Sequence, residues 1–153
     1  MPGYKGHTVG GLTIYGITLY LLRSILKPTW LNAIEWLLFT LTGALFPDID
    51  VKSKGQQLSY ALILGIFVIL LLRDQFDAVA ILAVLALIPM VVRHRGLFHR
   101  LWFILIFAGI IVVVCFFSTT LSCRMILLDA GFFVLGAISH LWLDMGFKGL
   151  FRK

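Results

Sequence analysis

Seven side chains in this sequence are of the kinds that grip hard divalent cations, and they fall in four short groups: His7; Asp48 and Asp50; His94 and His99; His140 and Asp144. All offer nitrogen or oxygen, donors that suit Zn²⁺, Mn²⁺ or Fe²⁺ better than soft ions. His140 and Asp144 are four residues apart and project from one face of a helix. Asp48-Ile49-Asp50 follows Pro47, which ends a helix. In an extended loop, two carboxylates two positions apart point the same way. His94 and His99, five apart, diverge by about 140° on an ideal helix and converge only where Gly96 interrupts it. His7, in Gly6-His7-Thr8, enters from a fourth direction.

Seven donors exceed the needs of one tetrahedral ion, so the expectation is two ions, Zn²⁺ or Mn²⁺ with Fe²⁺ as the other candidate, sharing a bridging Asp. Two such ions activate water and stabilise a phosphoryl oxygen during displacement. Asp48, Asp50 and Arg95 are then the expected catalytic residues. Either carboxylate could serve as base, while Arg95, with Arg100 beside it, could hold a phosphate through paired charge-assisted hydrogen bonds. Each residue alone has an ordinary explanation. Interfacial histidines cap helices, an i,i+4 His–Asp pair is a hydrogen bond, Asp48 suits a turn, and arginines meet lipid headgroups. The argument for a site is that four separate segments supply donors to one end.

Composition says what must position them. Of 153 residues, 61% are hydrophobic and 13% charged, and the mean hydropathy is +1.03, which excludes an ordinary soluble domain. The expected architecture is a single all-α domain over 1–153, a polytopic membrane bundle of six spans. The spans are drawn at 7–26, 29–46, 57–72, 76–92, 101–117 and 126–143, with no cleavable leader. Several fall short of the roughly 20 residues that cross a bilayer. Cys115 and Cys123 form no paired-Cys metal knuckle. The net charge of +6 comes without a basic tract, so nucleic acid is not an expected partner; membrane lipid is.

With six spans, both termini and the 47–56 and 93–100 loops share one side. That side carries nine of the basic residues, against Arg23, Lys27, Arg73 and Arg124 on the other. The excess assigns the donor-bearing end to the cytoplasm. All four histidines fall there, while Glu35, Asp74, Asp77 and Asp129 lie toward the far side. Asp129 precedes His140 by eleven residues, about 16 Å of helix, and cannot share an ion with it.

Ordered motifs run through nearly the whole chain: Gly6-His7, Pro47-Asp48-Ile49-Asp50, His94-Arg95-Gly96-Leu97-Phe98-His99 and Ser139-His140-Leu141-Trp142-Leu143-Asp144. In this order the sequence resembles the LexA-binding, inner-membrane-associated metal-dependent hydrolases of bacteria, a family distantly similar to zinc phospholipase C and P1-type nucleases. The family pattern commonly ends its third motif in Thr-His-Ser, where this chain has Phe98-His99-Arg100. The resemblance implies hydrolysis of a phosphoester, of a lipid or a nucleotide-like molecule, at the inner membrane, and admits a regulatory protein as partner.

Other functions use the same residues differently. A metal transporter or sensor wants ligands near the midplane, yet the far half offers only Glu35 and Asp129. A haem carrier using two histidines leaves the carboxylates unexplained. A non-enzymatic partner of a regulatory protein gives no reason for seven clustered donors.

Overall fold

A computed structural model describes residues 3–49, 53–91 and 98–149; Asp50, His94 and Arg95 lie outside the described residues. Local sequence sets the helix ends. Helix α1 (Tyr4–Leu26) stops at Lys27, whose left-handed backbone (φ 45°) returns its N–H to the Arg23 carbonyl just before Pro28. Helix α2 (Trp30–Leu45) starts behind Thr29, whose hydroxyl accepts from the Asn32 N–H at 3.2 Å. Ser53 caps α3 (Lys54–Leu72) in the same way. Asp74 (φ 57°) then turns the chain into α4 (Phe76–Val91), and α5 (Leu101–Ser118) and α6 (Cys123–Gly149) follow.

The all-helical bundle matches the sequence expectation, with two differences. First, α1, α3, α5 and α6 are long and apolar enough to cross a membrane. Helix α2 has 16 residues, about 24 Å against roughly 30 Å of hydrocarbon. Second, the segment after α2 is not extended. Pro47 stops the α-helix but fits a tighter turn, so residues Phe46–Asp48 form a 3-10 turn and Ile49 keeps helical angles. Asp48 therefore points where that turn aims it, and the extended-pair argument for Asp48 and Asp50 does not hold.

The centre of the bundle is α2 against α6. Their backbones touch because Gly43 and Gly136 face across the seam. A Cβ on Gly43 would collide with the Phe133 carbonyl, and one on Gly136 with the Thr40 carbonyl. Without water to drive helices together inside a membrane, close backbone approach through small residues is the main source of association. Helix α1 packs on both central helices, α3 on α2, and α5 on α6. Helix α4 touches α3 and α5 but, among the described residues, neither α2 nor α6. Large apolar side chains such as Leu21, Ile25, Leu64, Leu72 and Phe117 face outward, the pattern expected where the solvent is lipid.

Successive helices alternate in direction, which sorts the polar residues into two ends. One end gathers the start of α1, the 3-10 turn, the residues before α5 and the last turns of α6. The other gathers Asn32, Arg73 and Met125, with Arg73 donating to Asn32 Oδ1 and to the Met125 sulfur.

Candidate metal centre

Five of the seven expected ligands lie within the described residues, and all five meet at one end. His7 comes from the first turns of α1, Asp48 from the 3-10 turn, His99 from the residues before α5, and His140 and Asp144 from α6. The donor atoms form two overlapping groups, His7–His140–Asp144 and Asp48–His99–His140, each with its atoms within 4.8 Å of one another. Arg100 is the exposed N-cap residue of α5, next to His99.

Each side chain is held from behind. His140 is fully buried, and its Nδ1 lies 2.7 Å from the Ala44 carbonyl on α2. That acceptor requires a proton on Nδ1 and leaves the Nε2 lone pair facing the cluster, the usual backing of a metal-binding imidazole. The His7 ring stacks on the His140 ring with centroids 3.7 Å apart and planes 16° from parallel. Asp144 presents one oxygen to each: Oδ1 is 3.4 Å from His7 Nε2, and Oδ2 is 3.3 Å from His140 Nε2. Gly146, at φ 65°, breaks the regular helix just past this pair.

Asp48 is positioned by the aromatic residues below it. Phe46 packs against Phe98, Phe107 and Phe133, and the Ile49 carbonyl accepts a hydrogen bond from Gln56 Nε2 at 2.8 Å. Phe98 has a structural role beside His99. The Phe98 ring is buried between Phe46 and Phe103, anchoring the backbone that presents His99. His99 Nε2 lies 3.3 Å from Asp48 Oδ1 and 3.8 Å from Asp144 Oδ2. That hydrogen bond from His99, outweighing the opposing effect of burial and helped by the field of His140, His99 and His7, holds the Asp48 carboxyl below the usual carboxylate range.

These separations test whether a cation fits. Donors at about 2.0–2.1 Å from a tetrahedral ion stand about 3.3–3.4 Å apart along each edge. Three of the cluster's cross-distances, 3.3, 3.3 and 3.4 Å, match that edge. The remaining two, 3.8 and 3.9 Å, are longer. His140 Nε2, His7 Nδ1 and Asp144 Oδ1 are buried with no hydrogen-bond partner, as are atoms of Glu35, Arg73 and Asp129 at the far end, so this feature alone does not separate the two clusters. Among the described residues, no Lys or Arg pairs with Asp48 or Asp144. Two carboxylates and three imidazoles with no basic partner fit a divalent cation. His140 Nε2 belongs to both donor groups and can serve only one ion, so the five described donors amount to one complete site and part of another.

The sequence reading passed over two contributors. The Ala44 carbonyl is a main-chain atom and leaves no mark in residue type. Phe98 looked like one more apolar residue in a loop, although its place beside His99 was the available signal. At the far end Arg73, read as a loop charge, in fact bonds Glu35 at 2.7 Å and Asn32 at 2.6 Å.

A family model described as YdjM inner membrane protein matches residues 1–149. No curated protein and no solved structure matches the chain.

Proposed function

The chain belongs to the YdjM inner membrane protein family, and from that membership and the geometry of its polar end we propose a multi-pass inner-membrane hydrolase that cleaves a phosphoester with a divalent metal on the cytoplasmic side. One observation carries the reading: five buried or half-buried N/O donors from four segments converge at metal-edge separations, and among the described residues no Lys or Arg pairs with Asp48 or Asp144. The excess of basic residues at the same end supports the cytoplasmic orientation.

His7, Asp48, His99, His140 and Asp144 would hold the ion, with Asp50 and His94 as the remaining ligand candidates. When bound, a divalent cation supplies Lewis-acid charge for a phosphoryl oxygen and lowers the pKa of water toward neutrality. The chain's own contributions follow from position. Asp144 and His140 are buried and rigid, so they fix the ion's place. Asp48 and His99 are the more open pair, with side chains 36% and 28% exposed, and they border the direction from which a substrate arrives. The Asp48 carboxyl stays ionised below the usual range, so it is available to accept a proton from water. Arg95 and Arg100 are the candidates for the phosphate's outer oxygens.

The test is the full chain in detergent, stripped of metal and reloaded with Zn²⁺ or Mn²⁺, against phosphomonoesters and phosphodiesters of lipids and nucleotides. Metal-dependent turnover that disappears in Asp48→Asn and His140→Ala supports the proposal. Stoichiometric metal with no turnover on either class overturns the hydrolase reading, and uptake of the metal into sealed vesicles would replace it with transport.

A further inference from the structure

Between α4 and the α2–α6 pair the bundle leaves an apolar cavity of about 100 Å³. It exists because α4 is held off the central helices: among the described residues its backbone comes close only to α3 and α5, and its residues lining the cavity include the small Ala78 and Ala86. Those residues are too short to reach across to Phe133 and Ala130 on α6. The walls are hydrocarbon apart from Thr42, Cys115 and Asp129. The side chains of α3 and α4 that line it are all apolar.

Two features identify an occupant. The cavity begins at Phe46 and Ile49, the residues on either side of Pro47-Asp48, so its upper end lies directly beneath the metal-binding donors. It continues away from them to Leu70, Ala78, Leu121 and Ile126 at the opposite end of the bundle. On α5 alone the lining runs from Phe107 to Cys115, about 12 Å of helix. A slot of hydrocarbon that runs along the bundle from beside the turn carrying Asp48 has the shape and polarity of a lipid's alkyl chain, and the neighbouring donor cluster suits an anionic headgroup. An empty space of that size would forfeit the dispersion contacts that hold a bundle together, whereas a membrane supplies chains to fill it.

We propose that this cavity holds the hydrocarbon tail of the substrate, which makes the substrate a long-chain phosphate-headed lipid with its headgroup at the His/Asp cluster. The identity of the head as a reacting group rests on the hydrolase reading; the tail site does not. Phe46 and Ile49 then serve two purposes, since they position Asp48 and form the first wall met by the chain.

The test uses the full-length protein in nanodiscs, loaded with Zn²⁺, and two photoprobes carrying a terminal diazirine: hexadecyl phosphate and decyl phosphate. Labelling is mapped by peptide mass spectrometry. The expected result is labelling by hexadecyl phosphate of peptides at the far end, around Leu70, Ala78 and Ile126, competed by unlabelled hexadecyl phosphate. A hexadecyl trimethylammonium probe of equal length should label these peptides at least tenfold less. Ala78→Leu shortens the cavity and should reduce far-end labelling by the hexadecyl probe about tenfold while sparing labelling by the decyl probe nearer the site. Ala108→Phe, which blocks the middle, should reduce both, with zinc content confirming that each variant is folded. Labelling confined to outward faces, or equal for both headgroups, or unchanged in both variants, overturns the tail site. If the pattern appears without turnover of any ester, the tail site stands and the hydrolase reading alone fails. If short aryl phosphates are hydrolysed as fast as long-chain esters and labelling stays outside the cavity, the tail site alone fails.

Discussion

The two ends of the bundle use nearly the same residue types to opposite ends. At the far end Glu35 and Asp129 are buried, but Arg73 arrives from α3 to meet Glu35 at 2.7 Å and also bonds Asn32. That cluster carries its own cation, and the residues it joins come from α2, α3 and α6. It is a clasp. At the other end Asp48 and Asp144 are met only by imidazoles among the described residues. A buried carboxylate with its guanidinium carries its own counter-charge. A set of carboxylates and imidazoles with no Lys or Arg beside it among the described residues is a candidate place for a cation. The presence of an internal counter-charge, more than the number of acidic residues, separates the structural cluster from the candidate site.

The sharpest way to break this contrast is to remove one member from each end and measure both metal content and stability. His140→Ala and Asp144→Asn should lower zinc affinity by more than the roughly 10–100-fold lost when outer partners of a metal site are removed. The apo proteins should unfold close to apo wild type, while only wild type gains about 2.7 kcal/mol when zinc is supplied at a hundredfold excess over its Kd. Calorimetry and metal analysis of the same samples give both numbers. Equal zinc binding by His140→Ala and wild type would remove the site.

Arg73→Ala should do the reverse. It leaves Glu35 buried without its cation, a change that costs about 3–5 kcal/mol, while zinc content per folded protein stays at the wild-type value. The double variant Arg73→Met with Glu35→Gln should recover much of the loss, because no bare charge then remains. Loss of zinc in a folded Arg73→Ala protein would show that the two ends are not independent.

Much of this division was visible in the sequence, for reasons that differ by residue. His140 and Asp144 share one helical face by spacing alone, and alternation of apolar runs placed His7, Asp48 and His99 at the same end. That logic needs only helix geometry and a membrane. Asp48's surroundings were less legible, because Pro47 announces the end of α2 without saying whether the chain extends or tightens. The Glu35–Arg73 pair was hidden by distance along the chain: Arg73 sits at a helix end, where a charge normally meets water or headgroups. Nor could hydropathy show that α4 stands away from α6, since an apolar face reads the same whether it packs on protein, lipid or a cavity.

A smaller effect tests how the central seam supports the site. Gly136→Ala puts a Cβ into the Thr40 carbonyl, so α2 and α6 must separate. The expected cost is about 1–3 kcal/mol, and the same shift lengthens the 2.7 Å contact of His140 Nδ1 with the Ala44 carbonyl. Zinc affinity should therefore fall along with stability, by about the 10–100-fold typical of losing a ligand's outer partner. Gly16→Ala on α1, where a Cβ meets nothing, is the control.

The smallest expected effect lies at Gln56, which touches no proposed ligand. Its Nε2 donates to the Ile49 carbonyl at 2.8 Å, closing the turn that aims Asp48. Gln56→Ala removes one hydrogen bond, worth about 1 kcal/mol, and leaves every proposed ligand in place. If Asp48 contributes to the site only while that turn holds it, zinc affinity should fall several-fold in Gln56→Ala and return in Gln56→Asn only where the shorter amide still reaches. If affinity is unchanged, Asp48 is positioned by Phe46, Phe98 and its bond to His99 alone, and the ring cluster beneath the turn is enough to set the open side of the site.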